Sequence, residues 1–218
     1  MSTAVRRSVW GRAQAGHLES WAEYVRRGGR DAPGRREVWT AILAEVEKRA
    51  PFRSGEKVLD IGCGLDTALD FVGQSVSGFT LDTLAAELRE FGLSPRAAHA
   101  AGALEDLPYT DAAFDRVLLM NVLDHVRDAG RGLRETARVL RPGGTLVLSV
   151  DTYAGRRYQT RRLHKWWARA RRAQTKHPLV FSRPSIERLL EGSGYEYRDA
   201  LHVPGTKARR TLFVATRT

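Results

Sequence analysis

The stretch from Lys57 to Val72, KVLDIGCGLDTALDFV, constrains the fold more than any other part of the chain. Five residues suited to a strand, KVLDI, run into a turn that holds two glycines, and a segment with helical signals follows. Glycine at positions 62 and 64 lets the backbone turn sharply and approach a ligand closely, and the N–H groups at a helix start face whatever sits there. Two glycines alone suit a plain strand-to-helix turn equally well.

The acids around them narrow the choice. A dinucleotide fingerprint needs a third glycine where this chain has Thr67, and Asp60, just before the turn, would repel a pyrophosphate. An acid there suits a cationic group instead. A further acid, Asp82, lies 20 residues after Gly62 at the end of the next apolar run, where it can accept hydrogen bonds from ribose hydroxyls. The pattern fits a nucleoside that carries an ammonium group and no phosphates.

Short apolar runs alternate with helical stretches through the rest of the chain. Strands are predicted at KVLDI, SVSGFTL, RAAHA, RVLLMN, TLVLSV, YEYRDALHV and TLFVATR, with helices near 66–73, 83–91, 129–140 and 184–193. Continuous Val, Ile and Leu runs separated by helices imply a mostly parallel sheet covered on both faces. The last two runs leave no room for a helix between them, so they should pair as an antiparallel hairpin at the sheet's end. Ahead of Lys57, Leu18, Trp21, Ala22 and Val25 fall on one helical stripe that the glycines at 28 and 29 stop. Val38, Ile42 and Val46 fall on a second, ended by Pro51. We expect residues 1–50 to form a helical cap on a single α/β domain spanning 51–218.

Three stretches, VLDIGCG, LEDLPYTDAAFDRVLLMNVLDHV and LRETARVLRPGGTLVLSV, occur in that order, and in this respect the chain resembles the class I S-adenosylmethionine-dependent methyltransferases. The resemblance covers about Lys57 to Val150. It implies a Rossmann-like fold with a seven-stranded sheet and an antiparallel final strand, and S-adenosyl-L-methionine as cofactor. It also implies that Asp60, Gly62, Cys63 and Gly64 hold the methionine end and that Asp82, with the adjacent Thr83, meets the ribose. Leu104 and Glu105 would border the adenine, and Asn121 would lie beside the cofactor where the fourth strand ends. Three departures bear on the site. Asp66 stands where many members have a third glycine, and either caps the following helix or contacts the cofactor or substrate. GFTLD can also be aligned to put Thr80 at the acidic position. Ala103 replaces the aspartate that often meets the adenine amino group.

An activated methyl donor leaves the protein mainly to align a nucleophile, and an amine or hydroxyl acceptor also has to lose a proton. His125 in LDHV is the first candidate base, with Asp124 to orient it; the alternative is a structural histidine that starts a helix. Asp151 and Tyr153, at the end of the fifth strand, are further candidates, or else a cap and a packing residue. His164 and His177 stand isolated in sequence, no metal-ligand spacing occurs, and no metal is expected.

The formal net charge of +11 is unevenly spread: residues 152–186 hold ten Lys and Arg and no acid, whereas 51–151 are net acidic. Within an insertion at about 153–178, Leu163, Trp166, Trp167 and Ala170 fall on one stripe, with Arg161, Arg162, Lys165, Arg169 and Arg172 opposite. That is a basic amphipathic helix. It can serve as a lid packed through its tryptophans, as a pocket wall for an anionic substrate, as a nucleic-acid face, or as a membrane-surface anchor. The small-molecule reading, with an anionic acceptor, fits the LDHV and RVLRPGG motifs. An RNA or tRNA methyltransferase and a protein that binds the cofactor without transferring methyl groups are the alternatives. One cysteine, no apolar leader and no apolar run long enough to span a bilayer lead us to expect a cytoplasmic protein.

Overall fold

A computed structural model describes residues 9–28, 35–73, 75–90, 98–171, 177–202 and 209–218. The elements run α1 (Val9–Arg26), α2 (Arg35–Arg49), β1 (Lys57–Ile61), a 3-10 turn (Ala68–Phe71), β2 (Ser77–Asp82), α3 (Ala85–Arg89), β3 (Ala98–Ala101) and β4 (Phe114–Met120). A second 3-10 turn (Leu123–His125), α4 (Ala129–Val139), β5 (Leu140–Asp151), α5 (Gly155–Ala170), α6 (Arg183–Glu191), β6 (Tyr195–His202) and β7 (Arg210–Arg217) complete them. The seven strands form one sheet in the order β3-β2-β1-β4-β5-β7-β6. β1 to β5 pair in parallel, and β7 runs antiparallel to both β5 and β6, so the hairpin read from the sequence is present with its second strand inserted next to β5. This is a Rossmann-like α/β sheet.

Strands that are apolar on both faces need cover on both. On one side Leu59, Leu119, Leu133, Leu148, Ile186 and Phe213 belong to a core shared with α4 and α6. On the other, Ile42, Leu43 and Val46 of α2 pack against Val58, Leu118, Val147 and Leu212. α2 is thus a layer of the α/β sandwich. α1 sits elsewhere: Leu18, Trp21 and Val25 pack on Leu65, Leu84 and Leu88, beyond the carboxyl ends of β1 and β2.

Below the opposite edge, Arg116 of β4 is buried with Glu56, side chains 3% and 8% exposed. Its Nε donates to Glu56 Oε1 at 2.9 Å, and its remaining nitrogens donate to the carbonyls of Ala50 and Pro51 at 2.7 and 3.0 Å. The guanidinium lies 4.1 Å from the centre of the Phe52 ring. One side chain therefore holds the turn between α2 and β1 onto the sheet.

Two expectations require correction. No α-helix follows the glycine turn; residues 68–71 make a single 3-10 turn, because Asp60 draws in both the Thr67 hydroxyl and the Ala68 N–H and tightens the chain there. The cap of that turn is Thr67, whose hydroxyl accepts from the Leu69 N–H at 3.2 Å, and Asp66 does not serve in that role. The second correction concerns α5. Its apolar stripe does not pack on the domain: Leu163, Trp166 and Trp167 are 57%, 63% and 48% exposed. Periodicity defined the helix, but helical periodicity does not say which face meets protein. Arg172 lies outside the described residues. Among the described residues no helix is long and apolar enough to cross a membrane.

Candidate active site

A cavity of about 690 Å³ opens at the carboxyl ends of β1, β2, β4 and β5, a volume in the usual range for small-molecule sites. Asp60, Gly62, Cys63, Gly64, Asp82, Thr83, Leu104, Glu105, Asn121 and His125 all line it. Residues expected to act together from three separate stretches of sequence therefore share one chamber.

The glycine turn is built for close approach. Gly62 has φ +68° and Gly64 φ +58°, conformations that side chains with a Cβ rarely adopt. A Cβ on Gly62 would meet Val122 Cγ2 at 2.5 Å, so the turn is closed against the loop after β4. The Gly64 N–H donates to Asp82 Oδ2 at 3.1 Å and the Leu84 N–H to Asp82 Oδ1 at 2.8 Å, which fixes the acid at the end of β2. Thr80 instead pairs with the His99 ring at 2.6 Å, and of the two it is Asp82 that lines the cavity.

Asp60 is 1% exposed, with Thr67 Oγ1 at 2.7 Å and the Ala68 N–H at 2.9 Å donating to the same carboxylate oxygen, Oδ2. Burial pushes its carboxyl up to about 7 against those two hydrogen bonds, with the nearby acids Asp82 and Asp70 adding to the rise. Burial raises Asp82 as well, opposed by its backbone donors. Among the described residues no basic side chain hydrogen-bonds either acid, so a cationic ligand group would be the partner that favours their ionised forms. Burial also pushes the Cys63 thiol up, so it stays neutral beside them.

Glu105 reaches the cavity wall, but its Oε1 accepts from the Arg127 and Asp128 N–H groups at 2.6 and 3.1 Å, and the Arg127 guanidinium stands 3.6 Å from Oε2. Its carboxylate ties the loop before β4 to the start of α4. Asn121 adopts φ +66°, a conformation Asn tolerates better than most residues, and its N–H donates to Ser149 O at 2.8 Å.

Around His125 the fold assembles a cluster that spacing did not reveal. Asp124 Oδ2 is 2.7 Å from His177 Nδ1, and Oδ1 is 3.4 Å from His125 Nε2. The His125 ring centre lies 4.4 Å from that of His17 and 4.3 Å from that of His177. Burial alone would raise the Asp124 carboxyl; the hydrogen bond from His177 and the charges of both imidazoles outweigh it and hold the group below its ordinary value. Asp124, His125 and His177 offer ligand atoms within 4.8 Å of one another. The carboxylate hydrogen-bonds His177 through Oδ2, whereas Oδ1, which faces His125, is buried without a hydrogen-bond partner among the described residues. His177, isolated in sequence, is thus a member of the site.

Asp151 and Tyr153 do not line the cavity. Asp151 Oδ1 accepts from Arg210 Nε at 2.8 Å, and Tyr153 is stacked against guanidinium groups. Arg210 itself does line the cavity, as do Gln14, His17 and Trp21 of α1; Gln14 Oε1 accepts from the Thr83 hydroxyl at 3.1 Å. The sequence marked α1 as a helix and carried no signal of what it covers.

An open, mostly parallel sheet with an acid, a glycine turn and a second acid at the ends of its first two strands defines a Rossmann-like α/β protein with its cavity at the strand ends. The comparisons place it more closely. The model of a methyltransferase domain matches residues 34–200, and the chain belongs to that family. It is 30% identical over 183 residues to a probable S-adenosylmethionine-dependent methyltransferase of Mycolicibacterium smegmatis, covering 81% of this chain and 67% of that one. It is 33% identical over 121 residues to the 27-O-demethylrifamycin SV methyltransferase of Amycolatopsis mediterranei, covering 51% of this chain and 44% of that protein. Here, as with the first curated relative, the chain spans less than half of the relative's length. Among solved structures, the 1,6-didemethyltoxoflavin-N1-methyltransferase of Burkholderia thailandensis, with 1,6-didemethyltoxoflavin and S-adenosylhomocysteine bound, shares the fold at TM-score 0.63. It is 20% identical, and the match covers 94% of this chain and 89% of that one.

Proposed function

We propose that the protein transfers a methyl group from S-adenosylmethionine to a small, anionic molecule. The observation that carries this reading is the pair of buried acids, Asp60 and Asp82, on either side of a glycine turn that admits no side chain. Asp60 suits an ammonium group, Asp82 and Thr83 suit ribose hydroxyls, and Leu104 supplies an apolar wall for an adenine with Glu105 holding that wall in place. Gly62, Cys63, Gly64 and Asn121 present backbone along the methionine end. Bound there, S-adenosylmethionine supplies a methyl group already activated by its sulfonium. The relatives named for small acceptors support the substrate class.

The chain's own residues then do three things. Asp60 and Asp82 orient the donor. His125 accepts the acceptor's proton, with the charge of the adjacent Asp124 carboxylate stabilising its protonated form. α1, which lines the cavity through Gln14, His17 and Trp21, closes over it and excludes water. Methyl transfer follows by in-line displacement onto O, N or C.

Asp82→Ala tests the placement. The variant should bind S-adenosylhomocysteine more than about tenfold more weakly, from about 1.5 to 3 kcal/mol of hydrogen bonds to a charged group. Normal binding would exclude Asp82 as the ribose acid.

Asp60 predicts a pH dependence. Its folded-state value of about 7 lies above the unfolded carboxylate value, so the ligand-free fold binds the proton more tightly than the unfolded chain does. Its contribution to stability is present at low pH and is lost as pH rises toward 7. An ammonium ligand needs the carboxylate, so binding should release about one proton near pH 6 and tighten up to about pH 7. Calorimetry in two buffers of different ionisation enthalpy reads that proton. Asp60→Asn should abolish the release, and an unchanged proton count in the variant would remove Asp60 from the account.

A further inference from the structure

At the carboxyl end of β5 the chain gathers three guanidinium groups around one tyrosine and one acid. Arg161 of α5 stands 4.4 Å from the Tyr153 ring centre, and Arg209, just before β7, stands 5.2 Å from it. Arg210 lines the cavity and spends its Nε on Asp151 Oδ1 at 2.8 Å. Arg209 Nε lies 4.0 Å from Asp151 Oδ2, beyond hydrogen-bond reach. That Nε is buried and has no hydrogen-bond partner among the described residues. Among the described residues Asp151 thus meets two of these guanidinium groups, Arg210 and Arg209, while Arg161 meets the ring, and residues 152–186 contain no acid.

Cation–π contact with Tyr153 explains where two of these side chains sit, since guanidinium groups pack on aromatic faces. It does not explain why two cations share one ring, nor why an N–H donor is buried unmet, because buried polar groups are ordinarily hydrogen-bonded. An anion seated between them answers both points. The planar fork of a guanidinium matches a carboxylate or phosphate with two parallel hydrogen bonds, and Tyr153 fixes the forks in place beforehand.

We propose that Arg161, Arg209 and Arg210, ordered by Tyr153 and Asp151, form a subsite for a carboxylate or phosphate carried by the methyl acceptor. Arg210 connects it to the cavity, on the side away from Asp82. The proposal rests on the methyltransferase reading, deepens it by naming what holds the acceptor's charge, and leaves the cofactor acids untouched.

The test uses the full chain saturated with S-adenosylhomocysteine and titrated calorimetrically with inorganic phosphate at low salt. Arg209→Gln and Arg161→Gln should each weaken phosphate binding at least about fivefold and leave S-adenosylhomocysteine affinity unchanged, since bidentate charged contacts are lost. Arg156→Gln, at the exposed start of the same helix, should change neither. The proposal falls if the unsubstituted protein binds S-adenosylhomocysteine but not phosphate. It falls equally if Arg156→Gln costs as much as Arg209→Gln, which would mean diffuse charge. Loss of S-adenosylhomocysteine affinity in the arginine variants would assign these groups to the cofactor's own carboxylate. Failure of the unsubstituted protein to bind S-adenosylhomocysteine would instead count against the cofactor site, a separate result.

Discussion

Gly62→Ala is expected to lower S-adenosylhomocysteine affinity by about two orders of magnitude, equivalent to about 2.8 kcal/mol. Two independent costs meet at this atom. Alanine at φ +68° carries a left-handed penalty of about 1–2 kcal/mol, and its Cβ would stand 2.5 and 2.9 Å from the two γ-carbons of Val122. Overpacking of that kind costs about 1–3 kcal/mol when the neighbours cannot retreat. Val122 precedes the turn that carries Asp124 and His125, so relief by shifting the loop would displace the imidazole cluster as well. Gly62→Ala combined with Val122→Ala removes the steric part and keeps the backbone part, so it should recover some but not all of the affinity. Near-normal binding and melting temperature in the single variant would show that the turn is not the close-approach device described here.

The largest effect on stability is expected at Arg116. Arg116→Ala leaves Glu56 buried as an unpaired charge and strips the carbonyls of Ala50 and Pro51 of their donor, a loss of about 3–5 kcal/mol. Replacing the ion pair with Arg116→Met and Glu56→Leu together should be far milder, because no charge is then stranded. Denaturant unfolding of the two variants separates these outcomes. If the single substitution cost less than about 1 kcal/mol, the pair would be behaving as a solvated surface bridge.

The sheet was legible in the sequence because parallel strands covered on both faces must be apolar throughout, and Val58, Leu59, Leu118, Val147 and Leu148 supply that signal. The residues at the ends of β1 and β2 that line the cavity were legible for a related reason: a strand, its turn and the next acid are local, and their spacing is set by one short crossover between parallel neighbours. Long-range pairings were not. His177 meets Asp124 across 53 positions of sequence, and His17 arrives from α1; only the packing of the segments following β4 and α5 brings them together. Asp151 illustrates the same limit from the other side. Its position at a strand end promised a catalytic acid, and its pairing with Arg210 was set by the register of β5 on β7. The structure has a helix, α5, within the expected insertion, but Trp166 and Trp167 face outward, because periodicity reports a stripe and not its partner.

The central claim is that the acid and glycine cradle binds a sulfonium nucleoside, and calorimetric titration of the unsubstituted protein with S-adenosylmethionine and S-adenosylhomocysteine tests it most directly. The account predicts one site with a dissociation constant on the order of micromolar for both, equivalent to about 8 kcal/mol. No measurable binding of either compound at millimolar concentration would contradict it.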